Sequence, residues 1–280
     1  MKRSQILRSV AIAIILALII VAVPTTPALA GVTLYPTSGP AGTTITISGT
    51  GFTDGETYTV TFAWQTVYAQ VIGSGTITSG AITAVNYTIP ALPAGTYTIR
   101  VLASGGLALT GTFTVVPKTT LDKTSGLVGD EITLDGTSFT ANSNIIIYFV
   151  NEEVGTADAN ASGSFSNAVF TVPESYNGSH TVKAQDNYGN YATGNFSTKQ
   201  SVAVTPTTGS SGDQATLEGK GFRARNSITV TFNNVAVATI PPSVTTDDYG
   251  SFSATFTVPI IVTGSYPATA KDQGNNQASA

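Results

Sequence analysis

One motif is written three times along this chain, and that repetition limits its possible folds more than any other feature. Pro36-Thr-Ser-Gly-Pro-Ala-Gly-Thr-Thr-Ile-Thr-Ile-Ser-Gly-Thr-Gly-Phe52 aligns with the stretch from Lys123 to Phe139 and with the stretch from Pro206 to Phe222. Gly39, Gly126 and Gly209 fall in register, 87 and 83 residues apart. So do Gly42, Gly129 and Gly212, then Gly49, Gly136 and Gly219, then Phe52, Phe139 and Phe222. A second block recurs as Tyr87-Thr-Ile-Pro90, Phe170-Thr-Val-Pro173 and Phe256-Thr-Val-Pro259, each followed five residues on by Gly95, Gly178 or Gly264.

Each copy reads as a small antiparallel β-unit. The Gly-x-x-Gly element asks for a tight turn. The residues after it alternate, so Ile45 and Ile47, Ile132 and Leu134, and Ala215 and Leu217 should face a core. The phenylalanine ending the motif is a core anchor. Second strands follow at Tyr58–Phe62, Asn144–Phe149 and Ser227–Phe232, and the proline of the second block closes a third. Short alternating strands with turn signals every 8–12 residues indicate a sandwich. A repeat of this length is too long for a solenoid or propeller unit.

The segment SGPAGTTITISGTGF (Ser38–Phe52), the Thr-Val-Pro block and the repeat length resemble immunoglobulin-like domains of the IPT/TIG type, which occur in tandem on bacterial and archaeal cell-surface proteins. The resemblance runs over nearly all of residues 31–280. It implies an all-β chain of three tandem Ig-like antiparallel β-sandwiches after an N-terminal signal-peptide helix. The expected boundaries are 1–30, 31–116, 117–199 and 200–280, with few residues at the joints, Val115–Thr120 and Ser197–Ser201. The third copy departs from the pattern. The others close with Gly111-Thr-Phe-Thr-Val115 and Gly194-Asn-Phe-Ser-Thr198, whereas the third reaches Ala280 with at most a stub of that strand. The expectation is a piece of a longer protein, or a sandwich lacking its last edge.

The first thirty residues read as an address. Lys2, Arg3 and Arg8 precede an unbroken apolar run, Val10–Val23, too short for the roughly 20 residues of a membrane-crossing helix. Ala28 and Ala30 supply the small residues of a secretory cleavage site after Ala30. Its removal leaves 9 basic against 16 acidic residues, too little basic surface for nucleic acid. With no Cys, disulfides, thiol catalysis and Cys-based metal sites are excluded.

Candidate chemistry is sparse. His180 is the only imidazole, stands where the other copies have Tyr97 and Tyr266, and reads as a surface or cross-strand position. Glu152 and Glu153 read as a solvated loop. Asp158, Asn160 and Ser162 carry oxygens at alternate positions, as calcium loops do, and Asp247 and Asp248 occupy the equivalent stretch. The other reading is a hairpin turn whose Asp and Asn bond their own backbone. Asp122, Asp130 and Asp213 are further calcium candidates between domains. No other cofactor is expected. Four sequons, at Asn86, Asn160, Asn177 and Asn195, are also present. Trp64 and Tyr68, with Tyr87, Tyr188 and Tyr191, are either core residues or an exposed carbohydrate-binding strip.

The expectation for function is a non-catalytic, secreted or cell-surface structural or adhesive protein of Ig-like spacer repeats. The alternative is a carbohydrate- or protein-binding module of a larger extracellular protein. Expected partners are cell-envelope or extracellular protein or glycan, with no nucleic acid and no membrane span in the mature chain.

Overall fold

The structure, a computed structural model, describes residues 30–280; the expected leader helix lies outside them. The described chain is all-β, with no helix. The first sequence repeat supplies β1 (Gly31–Tyr35), β2 (Ser38–Gly39), β3 (Thr44–Thr50), β4 (Thr57–Phe62), β5 (Gln70–Thr76), β6 (Val85–Thr88), β7 (Gly95–Ala103) and β8 (Ala108–Val115). The second supplies β9 (Lys118–Leu121), β10 (Ser125–Leu127), β11 (Glu131–Thr137), β12 (Asn144–Phe149), β13 (Glu152–Asp158), β14 (Phe165–Thr171), β15 (Gly178–Asp186) and β16 (Tyr191–Lys199). The third supplies β17 (Ser201–Thr205), β18 (Gln214–Lys220), β19 (Ser227–Phe232), β20 (Val235–Ala236), β21 (Thr239–Ile240), β22 (Val244–Thr245), β23 (Phe252–Thr257), β24 (Ala268–Asp272) and β25 (Gln277–Ser279).

Six sheets result, arranged as in Ig-like sandwiches. Their orders are β1-β3-β6 and β2-β8-β7-β4-β5, then β9-β11-β14 and β10-β16-β15-β12-β13, then β17-β18-β23-β21 and β20-β19-β24-β25, with β22 also on β19. The chain falls into two compact units: residues 30–35, Thr46–Tyr87 and Thr98–Thr112, and then Pro36–Ile45, Thr88–Tyr97 and Phe113–Ala280.

In the first unit β1 pairs with β3 from Gly31↔Thr50 to Tyr35↔Thr46, and β4 lies between β5 and β7. Period-two alternation buries Tyr58, Val60 and Phe62 of β4 and leaves Thr57 out. In the second unit the same alternation buries Ile132 and Leu134 of β11, and Ala215 and Leu217 of β18. Around Ile132 and Leu134 the core of the second repeat gathers Phe139, Phe149, Phe165, Phe170 and Phe196.

Three expectations need correcting. The sheets are not purely antiparallel: β10 runs parallel to β16, and β2 to β8. The Gly-x-x-Gly segment passes from one sheet to the other and so meets the closing strand head to head. His180 is no surface residue but 4% exposed. Glu152 and Glu153 open strand β13, though both are exposed. Residues 116–117 alone lie between β8 and β9, and Gln200 alone between β16 and β17.

The glycines before the anchor phenylalanines are held by ring packing. A Cβ on Gly136 would stand 2.1 Å from the Phe165 ring, and on Gly219 2.0 Å from the Phe252 ring. Gly49 has looser surroundings, 3.0 Å from the Phe52 ring. Gly136→Ala should therefore destabilise by about 1–3 kcal/mol, an overpacking cost, and Gly49→Ala by clearly less. Urea unfolding of the two variants checks the order.

Candidate functional site

The two recurring motifs meet in every copy. The amide of Gly42 donates to the carbonyl of Ile89 at 2.8 Å, that of Gly129 to Val172 at 2.9 Å, and that of Gly212 to Val258 at 2.9 Å. The return bonds run from Ile89 to Thr43, Val172 to Asp130 and Val258 to Asp213, at 2.9, 2.9 and 2.8 Å. The turn glycine adopts a positive φ of 87–94° in all three, a conformation that L side chains rarely adopt. The loop after the proline is then tied to its own strand. Tyr97 donates its hydroxyl to the Pro93 carbonyl at 2.9 Å, Tyr266 to Val262 at 2.9 Å, and His180 Nε2 lies 2.8 Å from the Tyr176 carbonyl. His180 thus does a tyrosine's job, packed against the rings of Phe149 and Tyr176.

Within the second unit these loops also meet the next repeat. The Ala94 amide donates to the carbonyl of Phe139 at 3.0 Å, and the Asn177 amide to the carbonyl of Phe222 at 2.9 Å. Donor and acceptor occupy the same repeat positions both times. Ser138, at a position where the other copies have Gly51 and Gly221, is fully buried with φ 61°. Its hydroxyl accepts the Ala41 amide at 3.1 Å. Lys220 and Glu174 add an ion pair at 3.3 Å, half exposed and worth little.

The oxygen-rich turns are engaged locally. Asn160 Oδ1 accepts the amides of Ser162 and Ser164 at 2.9 and 3.0 Å, and Asp247 Oδ1 those of Tyr249 and Ser251 at 2.9 and 2.8 Å. Asp158 faces the Asn144 amide group, and Asp248 pairs with Arg225. Asp122, Asp130 and Asp213 accept the amides of Thr133, Leu127 and Ser210. Among the described residues no three His, Asp or Glu side chains gather as metal ligands.

In the first unit the aromatic candidates divide. Trp64, half-buried, lies under the Arg100 guanidinium, 4.6 Å from ring centroid to Cζ. Beside it in sequence, Val67, Tyr68 and Val71 are 93%, 41% and 61% exposed. Tyr87 instead packs on Phe62 and donates its hydroxyl to Gln70. Tyr188 and Tyr191 are exposed on the second repeat.

The IPT/TIG domain family model matches residues 32–115 and 200–280. The chain belongs to that family. The match takes in the first and third copies of the motif. No curated protein matches the chain. Solved structures similar to it include a tetra-tandem repeat from the extending region of a large adhesion protein, 19% identical over 90% of this chain and 74% of that one, with a TM-score of 0.31. Invasin, a bacterial integrin-binding protein, is 16% identical over 88% of this chain and 58% of its own, TM-score 0.29. A Bacteroides ovatus protein, SGBP-B of the mixed-linkage glucan utilization locus, is 19% identical over 86% and 60%, TM-score 0.28.

The second and third sequence repeats share a device that sequence reasoning missed. Asp186 and Asp272 are buried, 4% and 3% exposed. Asp186 accepts the amides of Thr140, Tyr188 and Asn190 and the side-chain amide of Asn190, all at 2.9–3.0 Å. Asp272 accepts the amides of Arg223, Gly274 and Asn276 and the side chain of Asn276, at 2.7–3.1 Å. The first repeat has Ala103 there, closing the same turn through Leu107. The signal was available as Asp-x-x-x-Asn in two copies, Asp186–Asn190 and Asp272–Asn276.

Burial pushes these carboxyls up, but the hydrogen bonds outweigh it and hold both below the usual carboxylate range. A depressed folded-state value means stability that is full above the unfolded value, about 4, and lost as pH falls through the folded one. Denaturation midpoints measured between pH 6 and strongly acid conditions should fall. Asp186→Asn should lower the neutral-pH midpoint of the second repeat and flatten its acid dependence, leaving the first repeat unaffected.

Proposed function

We propose that this chain is a non-catalytic structural or adhesive protein of the cell surface or extracellular space, carrying three tandem Ig-like sandwiches behind a secretory signal peptide cleaved after Ala30. The reading rests on the repeated joint. Ala94 to Phe139 and Asn177 to Phe222 use the same pair of backbone groups, so each repeat meets its successor through main-chain atoms that the motif itself positions. A single residue or two at each joint leaves little freedom to swing. Short joints of this kind suit a spacer. The IPT/TIG family supports this reading, as does a leader of the secretory pattern.

A second reading follows from one observation. Trp64 under Arg100, flanked by exposed Val67, Tyr68 and Val71, offers an aromatic face with a polar donor beside it, suited to the apolar face of a sugar ring or to a protein side chain. Under this reading the first repeat binds an extracellular glycan or protein.

Protease added to intact cells that make the protein should degrade it. Full protection until the cells are lysed would contradict an external location. For the second reading, the mature chain should bind members of a glycan array or a cell-wall fraction. Trp64→Ala should then weaken binding about ten-fold or more, the loss of one central aromatic contact.

A further inference from the structure

Arg100 is the only cationic side chain among the described residues of the first compact unit, whose acidic residues are Asp54 and Glu56. It points outward from β7, since Ile99 and Val101 on either side are fully buried. Thr61 stands opposite it on β4, and Val71 opposite Thr61 on β5. These three side chains form one cross-strand row on the outer face of the sheet. Leu102, Thr59 and Ser74 form the next row. Asp54 and Glu56 precede β4, at the end of that strand away from Thr61, and Asp54 accepts the amide of Gly80.

The Arg100 guanidinium is positioned but not consumed. Its Cζ lies 4.6 Å from the centroid of the Trp64 ring, a stacking contact that holds the group without using its N–H donors. Trp64 is itself tied to β7, its amide donating to the Thr98 carbonyl at 3.0 Å. Among the described residues the ion pairs are Lys220 with Glu174 and Arg225 with Asp248, and Arg100 enters neither. Five residues after the recurring glycine, where this copy has Arg100, the others have Lys183 and Thr269. Lys183 also lies over a ring, Tyr148, at 4.4 Å, but gives its ammonium to Gln185 Oε1 at 2.9 Å. Thr269 shares a hydrogen bond with Ser279 at 2.8 Å. The position thus carries a ring-stacked cation twice, and only the second copy spends it on a neighbouring side chain.

A planar guanidinium matches a carboxylate, which takes two parallel N–H bonds from it. Around that point the two rows supply hydroxyls from Thr61, Thr59 and Ser74, and apolar surface from Val71, which is 61% exposed. Hydroxyl partners beside a carboxylate site, with an apolar patch to cover a C–H face, describe an acidic sugar. A sheet face, unlike a sheet edge, offers an acidic peptide no main-chain groups.

We propose that this face binds a carboxylate-bearing polysaccharide, a chain of uronic acid residues. Arg100 takes the carboxylate, and Trp64 is the positioning residue that holds Arg100. The inference rests on the reading of the first repeat as a glycan binder and names the class of glycan. The chain as a whole has a formal net charge of −4, so general charge attraction does not draw a polyanion to it.

The test uses the mature chain on immobilised polygalacturonate, on the same polymer with its carboxyls reduced to alcohols, and on poly-glutamate. Saturable binding to polygalacturonate is expected, about ten-fold or more tighter than to either of the others. Arg100→Gln should remove that preference and leave the melting temperature unchanged, because the side chain faces outward. Trp64→Phe, which keeps a ring under the guanidinium, should retain most of the binding that Trp64→Ala loses. Lys183→Gln should change nothing. Equal binding of the carboxyl-reduced polymer would overturn the uronate class and leave the glycan reading standing. Absence of saturable binding to polygalacturonate, equal or tighter binding of poly-glutamate, or an unchanged preference in Arg100→Gln would each overturn the proposal. Binding of neutral members of the glycan array would then show the broader reading intact.

Discussion

The fold depends on a pair of backbone hydrogen bonds made three times, between the Gly-x-x-Gly turn and the residue before the proline of the Thr-x-Pro block. Gly129 with Val172, and Val172 with Asp130, is the clearest case. Those bonds join stretches more than forty residues apart and close one end of each sandwich. They hold the following loop where Tyr97, His180 or Tyr266 can tie it to its own strand. Once tied, the loop presents one amide outward, and in two of three cases that amide meets the carbonyl of the next repeat's anchor phenylalanine. The phenylalanine ring fills the core of its own repeat while its carbonyl receives the neighbour.

Most of this fold was legible because the repeats supply their own alignment. Three copies of Gly-x-x-Gly separate turn positions from variable ones, and period-two alternation placed Ile45, Ile132 and Leu217 in the core. The parallel pairs of β2 and β10 were not legible, since local pattern says nothing of which distant strand a crossing segment meets. Of the two readings of His180, surface or cross-strand, only the surface one fails: the residue is buried opposite Phe196 on the neighbouring strand. Its burial follows from a carbonyl four residues back that a tyrosine hydroxyl serves equally well. The Asp186 and Asp272 turns escaped attention because a buried carboxylate is costly in general, and only its four donors reveal why it is tolerated here.

The candidate sites were less legible. Oxygen-bearing residues at alternate positions describe a calcium loop and a self-bonded turn equally well. In the structure the Oδ1 atoms of Asn160 and Asp247 each accept amides of their own turns. The aromatic positions divided: Tyr87 went to internal packing, while Tyr68 stayed exposed and Trp64 half so. Differences among the copies prove more informative about function than their common pattern. The first alone carries Trp64 under Arg100, and the second and third carry the aspartate turns.

The first and second repeats each meet the next through one motif-positioned amide. Hydrogen exchange under native conditions reads that amide directly. The amides of Ala94 and Asn177 should be protected by several orders of magnitude, as core strand amides are. Thr263, at the same place in the third repeat but with no such acceptor among the described residues, should exchange rapidly. Fast exchange at Ala94 and Asn177, matching Thr263, would mean that these amides do not join the repeats.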